Sequence, residues 1–219
     1  EDFRTLSYWK EVASYYDYFF TIQRGEFFDE LSSIGMNNFY YLAQGCLPGV
    51  HKEINLPLDD IHQYSADVSF MGAGYYNRVQ SFPRLLSHDF KIWGTEWVLE
   101  SDIGNRVQNK NKRVDQADTV KIYNAGKVNL NLHSSTFHSG VNPVGDFVNP
   151  RTFEIAACGG FQLVDERSEL AELIEPGTEI ATFNSIDDLC EKVDYYLKHE
   201  NEAKSIAYQG RARVLKEHT

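Results

Sequence analysis

The run from Asn149 to Asp165 most constrains what this chain can fold into. It reads Asn149-Pro150-Arg151-Thr152-Phe153-Glu154-Ile155-Ala156-Ala157-Cys158-Gly159-Gly160, followed at once by Phe161-Gln162-Leu163-Val164-Asp165. That is a loop, a helix start, a short helix of small residues, a tight turn and a buried strand. Pro150 suits the first turn of a helix, where its missing N–H is no loss, and Asn149 is a good N-cap. The free N–H groups and the dipole at such a start favour an anion such as a phosphate. Glu154 falls one turn in, on the face turned toward the mouth of the sheet, where a carboxylate accepts hydrogen bonds from sugar hydroxyls. A second acid, Asp146, stands before the helix with seven residues between it and Glu154. Acids near a helix start also simply complement its dipole, and a small-residue helix ending in Gly-Gly is an ordinary helix-to-strand turn. Spacing alone leaves both readings open.

Strands and helices alternate along the rest of the chain. Residues 3–14 read as a helix, 16–22 as an aromatic strand, 25–34 as a helix stopped by Gly35, and 38–42 as a second short strand. A strand–helix–strand unit of this kind makes its two strands parallel. Residues 44–57 are loop-rich and read as a linker. Strand 67–71 then runs into Gly72-Ala73-Gly74 and a helix reaching about Ser87. Strand 90–93, a polar stretch at 95–117, a helix near 118–125 and strand 128–132 follow. After a long loop at 133–148 and the segment described first come a helix at 167–174, strand 180–183, helix 186–198 and a last helix at 200–217. This pattern predicts an α/β doubly wound parallel sheet, whose ligands bind beyond the carboxyl ends of the strands near the switch point.

Composition narrows the function classes. The net charge of −11 argues against a general nucleic-acid binder. The one basic cluster, Arg106, Lys110, Lys112 and Arg113, reads as a solvated surface segment. No apolar run approaches the ~18 residues that span a membrane, so no transmembrane segment is expected. Cys46, Cys158 and Cys190 are odd in number and widely spaced, which argues against a zinc ribbon or a disulfide framework and fits a reducing cytoplasm. His133, His138 and Asp146 match no standard metal spacing. Ser134 and Ser135 lie near His138, but Gly-x-Ser-x-Gly is absent. Gly72-Ala73-Gly74 meets Asn77 where a dinucleotide fingerprint needs its third glycine. Tyr75, Tyr76 and Trp93 are candidates for stacking on a base. The chain does not begin with Met and opens directly on a helical pattern, so it reads as a piece of a longer protein.

The acid-x7-acid spacing, with the strand before it and Ala157-Cys158-Gly159 after it, resembles the C-terminal nucleotide-sugar domain of GT-B glycosyltransferases of the retaining group-1 type. The finer pattern is Tyr123-Asn124 through Leu132, then Asn149-x-Arg151-x-Phe153-Glu154. It is similar to the spore-maturation CgeB-like branch. Tyr41 to His51 resembles the interdomain hinge of these families, and Val68 to Gly72 with Asn77 and Arg78 resembles the start of their second domain. The resemblance spans roughly residues 15–219 and is most specific in 123–165.

The resemblance implies a Rossmann-like GT-B architecture in two parts. Residues 1–64 are the tail of an acceptor-side domain plus hinge, and residues 65–219 are the nucleotide-sugar-binding domain. It implies a glycosyltransferase that moves a sugar from a nucleotide-diphospho-sugar donor with retention and without a metal or other cofactor. Glu154 matches the second acid, which binds the ribose hydroxyls. Asp146 matches the first, beside the donor sugar, with Asp in place of Glu. Gly72, Gly74, Asn77 and Arg78 fall where the first loop meets the diphosphate, although the family's Arg-x4-Lys pair is not reproduced because position 83 is Pro. Arg151 supplies part of that charge or forms a surface ion pair. His133 and Asn149 complete the candidate substrate-binding set. The fragment is expected to bind nucleotide and transfer little sugar, its acceptor unknown. The alternative is a non-catalytic α/β binding or protein-interaction module built on the same scaffold.

Overall fold

The computed structural model describes residues 8–142, 145 and 147–219. Two sheets are present among them. The smaller pairs β1 (Phe19–Thr21) with β2 (Phe39–Tyr41), in parallel, beside α1 (Trp9–Ala13) and α2 (Glu26–Ser33). The strand–helix–strand reading of residues 16–42 holds. On one side of this unit Trp9, Ala13, Phe27, Leu31 and Met36 form a buried cluster. Tyr18, Phe20, Tyr40 and Leu42 are exposed.

The larger sheet contains β3 (Ala66–Met71), β4 (Phe90–Trp93), β5 (Gly126–Asn131), β6 (Gln162–Asp165) and β7 (Ala181–Phe183). Its order is β4-β3-β5-β6-β7, and every pairing is parallel. From β3 the chain passes to β4 on one side and later to β5 on the other. The switch point therefore lies between β3 and β5, and their carboxyl ends frame the natural crevice.

Helices cover both faces, so successive side chains of β5 and β6 are buried on either side of the sheet, polar Asn129, Asn131 and Gln162 included. On one face Val68, Phe70, Val128, Leu130 and Phe183 pack with Leu189 and Val193 of α8 (Ile186–Lys198) and Ile206 of α9 (Glu200–Glu217). On the other face lie α5 (Gln116–Ala125), α6 (Arg151–Ala157) and α7 (Leu170–Leu173), with Ile122, Phe153, Ile155 and Leu170 buried. Asp115 caps α5 through the Asp118 N–H, and Ser185 caps α8 through the Asp188 N–H. Each cap is worth about 1 kcal/mol.

Several boundaries differ from the sequence reading. The passage between the sheets contains a helix that was not expected, α3 (Leu58–Tyr64), whose Tyr64 is buried against Trp93. The helix after Gly74 is the short α4 (Tyr76–Ser81) continued by a 3-10 turn at Phe82–Leu85, because Pro83 interrupts the regular ladder. The helix expected at 167–174 contracts to α7.

The chain end closes back on the linker. The Cys46 N–H donates to the His218 carbonyl at 2.8 Å, and the His218 ring packs on Phe153. Arg24 bridges the small unit to α7 through Glu172 at 2.9 Å.

Candidate functional site

The crevice is built first from glycines. After β3 the Gly72 N–H donates to Trp93 O at 2.8 Å, the Gly74 N–H to Thr95 O at 2.9 Å, and Trp97 Nε1–H to Gly72 O at 3.0 Å. A Cβ on Gly74 would stand 2.5 Å from the Glu96 carbonyl oxygen, and one on Gly72 2.9 Å from Arg151 Nη2. Gly74 therefore allows the loop to lie on the 94–97 turn, and Gly72 leaves the space through which Arg151 passes.

Asn77 is fully buried and ties two loops together. Its Nδ2 donates to His133 O at 2.7 Å and to Gly140 O at 3.3 Å, and its Oδ1 accepts the Ser135 N–H at 3.1 Å. The sequence pattern made Asn77 a substrate-binding residue. Its amide is spent on shaping the loop after β5, so it acts on a ligand only through that loop.

Arg78 is 3% exposed. Its Nε and Nη2 donate to Leu132 O and its Nη1 to Ala73 O, at 3.0, 2.8 and 2.9 Å. Among the described residues no carboxylate forms an ion pair with it. Burial pushes its pKa down, to about 9, with Arg151 adding repulsion. Arg151 donates from Nη1 to Asn131 Oδ1 at 3.1 Å, and its Nε has no hydrogen-bond partner among the described residues. Both guanidinium groups lie by the Phe70 ring, 4.9 and 5.3 Å from its centroid. The surface ion pair considered for Arg151 is not found among the described residues.

His133 is also fully buried. Its Nδ1–H donates to Asp165 Oδ1 at 2.7 Å, and its Nε2 accepts the Asn149 N–H at 2.9 Å. Asp165 also accepts the His133 backbone N–H at 2.8 Å and pairs with Arg167 at 2.6 Å. Burial lowers the His133 pKa against the opposing pull of Asp165. Burial alone would raise Asp165, but His133 and Arg167 outweigh it and hold it at about 2. Neutral His133 is thus a brace between β6 and the start of α6, with neither ring nitrogen left for a ligand.

The start of α6 corrects a second expectation. Asn149 Oδ1 accepts the Thr152 N–H at 3.3 Å, and the Phe153 and Glu154 N–H groups both reach Pro150 O at 3.0 Å. Asn149 Nδ2 donates to Asn131 Oδ1 at 2.9 Å. These amides are satisfied internally, so the positive character of this corner comes from the Arg78 and Arg151 side chains.

Glu154 does face a cavity, about 530 Å³, shared with His51, Met71, Thr119 and the 113–116 turn. His51 was not singled out by the sequence reading beyond its place in the hinge. A lone histidine in a Pro-Gly loop carries no periodic signal. Asp146 lies outside the described residues. Of the aromatic candidates, Trp93 is buried in the core, and Tyr75 lies by Arg78, 5.3 Å from its ring centroid to the guanidinium carbon. Ser135 Oγ meets His138 Nδ1 at 3.0 Å but also accepts the Phe137 and His138 N–H groups, which makes it a turn brace. Among the described residues no three His, Cys, Asp or Glu side chains group as a metal site, and no helix is long and apolar enough to cross a membrane. Cys158 is a buried packing residue, and burial pushes its thiol pKa up to about 12.

Comparison with known proteins sets this geometry in a family. The chain is 26% identical over 188 residues to spore protein CgeB of Bacillus subtilis (strain 168), covering 80% of this chain and 55% of CgeB. It spans about half the length of that curated relative. Among solved structures it is similar to Anabaena HepE in complex with UDP-glucose, with a TM-score of 0.67 at 14% identity over 95% of this chain and 62% of HepE. It is also similar to the C-terminal domain of a group 1 family glycosyl transferase, LpcC, from Francisella tularensis. That match has a TM-score of 0.58 at 12% identity and covers 79% of this chain and 98% of the domain. The fold is the GT-B type, a Rossmann-like doubly wound sheet with part of a second Rossmann-like domain, as the resemblance implied. The family model described as glycosyl transferase-like matches residues 77–219, more than half of the chain, and the chain belongs to that family.

Proposed function

We propose that this chain carries the donor-nucleotide half of a glycosyltransferase that takes its sugar from a nucleotide-diphospho-sugar. One observation carries the reading. Arg78 and Arg151 hold two positive charges at the switch point with no carboxylate partner among the described residues. Arg78 is the buried one of the two, and a buried charge without a counter-ion costs several kcal/mol. A diphosphate is the anion whose charge and place in a doubly wound sheet fit them. Glu154, in the adjoining cavity, takes the ribose hydroxyls. Gly72 gives Arg151 its place and Gly74 seats the loop on the 94–97 turn, while Asn77, His133 and Asn149 hold the surrounding loops. The motif match alone assigns Asp146, which lies outside the described residues, its role at the donor sugar.

In the transfer, the bond from the anomeric carbon to the diphosphate oxygen breaks and that oxygen takes the electron pair. The acceptor hydroxyl bonds to the anomeric carbon and gives its proton to the departing diphosphate oxygen, with net retention of configuration. The arginines stabilise the charge gathering on the leaving group, and a single preorganised donor of this kind is worth about 3–4 kcal/mol. They supply the charge that a metal ion provides in other transferases. Residues 1–64 form the tail of the acceptor-side domain with the hinge, and residues 65–219 the donor domain. The 219-residue chain therefore binds nucleotide but transfers little sugar. Free Cys46, Cys158 and Cys190 support a cytoplasmic setting.

Calorimetric titration with UDP and GDP tests this reading, with Glu154→Ala as control. Binding of one nucleotide, weakened in the variant, supports it. Binding of neither to the folded chain favours the rival, a non-catalytic interaction module, for which the exposed Tyr18, Phe20, Tyr40 and Leu42 would be the docking row.

A further inference from the structure

His51 belongs to the hinge, yet its ring enters the cavity that Glu154 faces. It is 8% exposed and rigidly mounted. Its N–H donates to Leu47 O at 2.8 Å, and the Leu47 N–H donates back to His51 Nδ1 at 3.1 Å. This closed ring is anchored at both ends. Cys46 is tied to His218, and beyond the histidine the Ile54 N–H donates to Asn124 Oδ1 of α5 at 3.0 Å.

The ring's hydrogen bonding determines its chemistry. Nδ1 accepts a backbone N–H, so the proton sits on Nε2, and that N–H points into the cavity. Nε2 lies 3.9 Å from Glu154 Oε1, beyond hydrogen-bond reach. One oxygen atom at roughly 2.8–2.9 Å from both atoms would satisfy both. A hydroxyl does this with its two roles separated, accepting from Nε2–H while donating to the carboxylate.

We propose that His51 is the second half of a ribose clamp, donating to the hydroxyl whose proton Glu154 accepts. The inference rests on the nucleotide reading above and adds a residue to it. It also makes the nucleotide site straddle the hinge, with Glu154 on the α6 side and His51 on the linker.

Two substitutions separate mounting from binding. In His51→Asn the side-chain oxygen stands in for Nδ1 and keeps the Leu47 N–H satisfied, but no donor reaches the cavity. In His51→Gln the amide nitrogen reaches the Nε2 position. The 219-residue chain is titrated with UDP and GDP, and then with the 2′-deoxy and 3′-deoxy forms of the one that binds. The melting temperature of each variant is recorded alongside.

His51→Asn is expected to melt near the unsubstituted chain and to bind the nucleotide roughly 3- to 10-fold more weakly. It should also lose most of the preference for the ribonucleotide over one deoxy form, and His51→Gln should recover part of that preference. If His51→Asn is too unstable to titrate, the preference of His51→Gln against the unsubstituted chain decides. Unchanged affinity and preference in both variants, with the preference lost in Glu154→Ala, would overturn the role of His51 and leave the nucleotide reading standing. Binding of neither nucleotide to the unsubstituted chain would overturn both.

Discussion

Arg78 grips a single carbonyl oxygen of Leu132 with two donors, Nε at 3.0 Å and Nη2 at 2.8 Å. The contact crosses the switch point from the helix after β3 to the end of β5. It fixes the guanidinium without neutralising it, since a carbonyl satisfies hydrogen bonds but carries no net charge. Arg151 lies beside it on the same Phe70 ring. The pair is a preformed positive field, and in the proposed function its energetic cost is recovered when the diphosphate binds.

Arg151→Gln tests that field with little damage to the fold, because Arg151 is only half-buried and its hydrogen bond to Asn131 can be kept by an amide. UDP affinity should fall about 10-fold or more, the loss of a charge-assisted contact, while affinity for the uncharged nucleoside stays unchanged. Calorimetry with UDP and uridine reads both. An equal loss for the two ligands would move the effect away from the phosphates.

Metal removal gives a second test. With the charge supplied by arginines, UDP affinity in EDTA should equal that in millimolar Mg²⁺. It should weaken as NaCl rises, because ionic contacts are screened. A strict requirement for the divalent ion would contradict the proposed role of the arginines.

The buried brace predicts how stability changes with pH. His133 is held neutral in the fold, its pKa pushed below the usual 6.5. Below about 6.5 the unfolded chain therefore binds a proton that the folded chain refuses, and stability falls by up to ~1.4 kcal/mol per pH unit. Asp165, lowered to about 2, adds a second loss as pH drops from its ordinary 3.8 toward that value. Urea denaturation from pH 7.5 to 5 should show the first fall, and His133→Gln should flatten it. An identical slope in the variant would assign the effect to other groups.

Gly94 predicts a purely structural sensitivity. Its φ of +139° is unfavourable for other residues, and a Cβ there would run into the Gly72 carbonyl oxygen. The Gly72 atoms it meets are all backbone, so they do not yield easily. Gly94→Ala should destabilise the fold by about 2 kcal/mol or more in chemical denaturation and disturb the loop that Gly72 opens.

The alternation of strands and helices was legible because the strands of the larger sheet are short runs carrying apolar pairs such as Val68 with Phe70 and Val128 with Leu130, and each long helix has a clear start or stop. Helices α8 and α9 emerged with the limits expected from Ser185 onward. Residues 95–117 were not legible. Their shape depends on Glu96, Lys110 and Asn111 at positive φ and on Asn111 pairing with both backbone groups of Trp97 at 3.0 and 2.7 Å, none of which leaves a periodic trace. α3 was missed because Leu58-Asp59-Asp60 follows a proline-rich linker and exposes most of its side chains.

In the candidate site, the residue types singled out in the sequence gather at one corner of the fold, but the partners of each side chain were not legible. Asn77 and His133 look like ligands in the sequence, yet long-range partners, Gly140 and Asp165, absorb their polar atoms. His51 looks like linker and acquires its place only when the chain end and α5 hold the hinge against Glu154.

A crystal structure of the chain grown with UDP would decide where the nucleotide sits. The diphosphate is expected within hydrogen-bond distance of Arg151 and beside Arg78, with the ribose hydroxyls at Glu154. Phosphates bound away from both arginines, or a nucleotide seated outside the β3–β5 crevice, would contradict the proposed function.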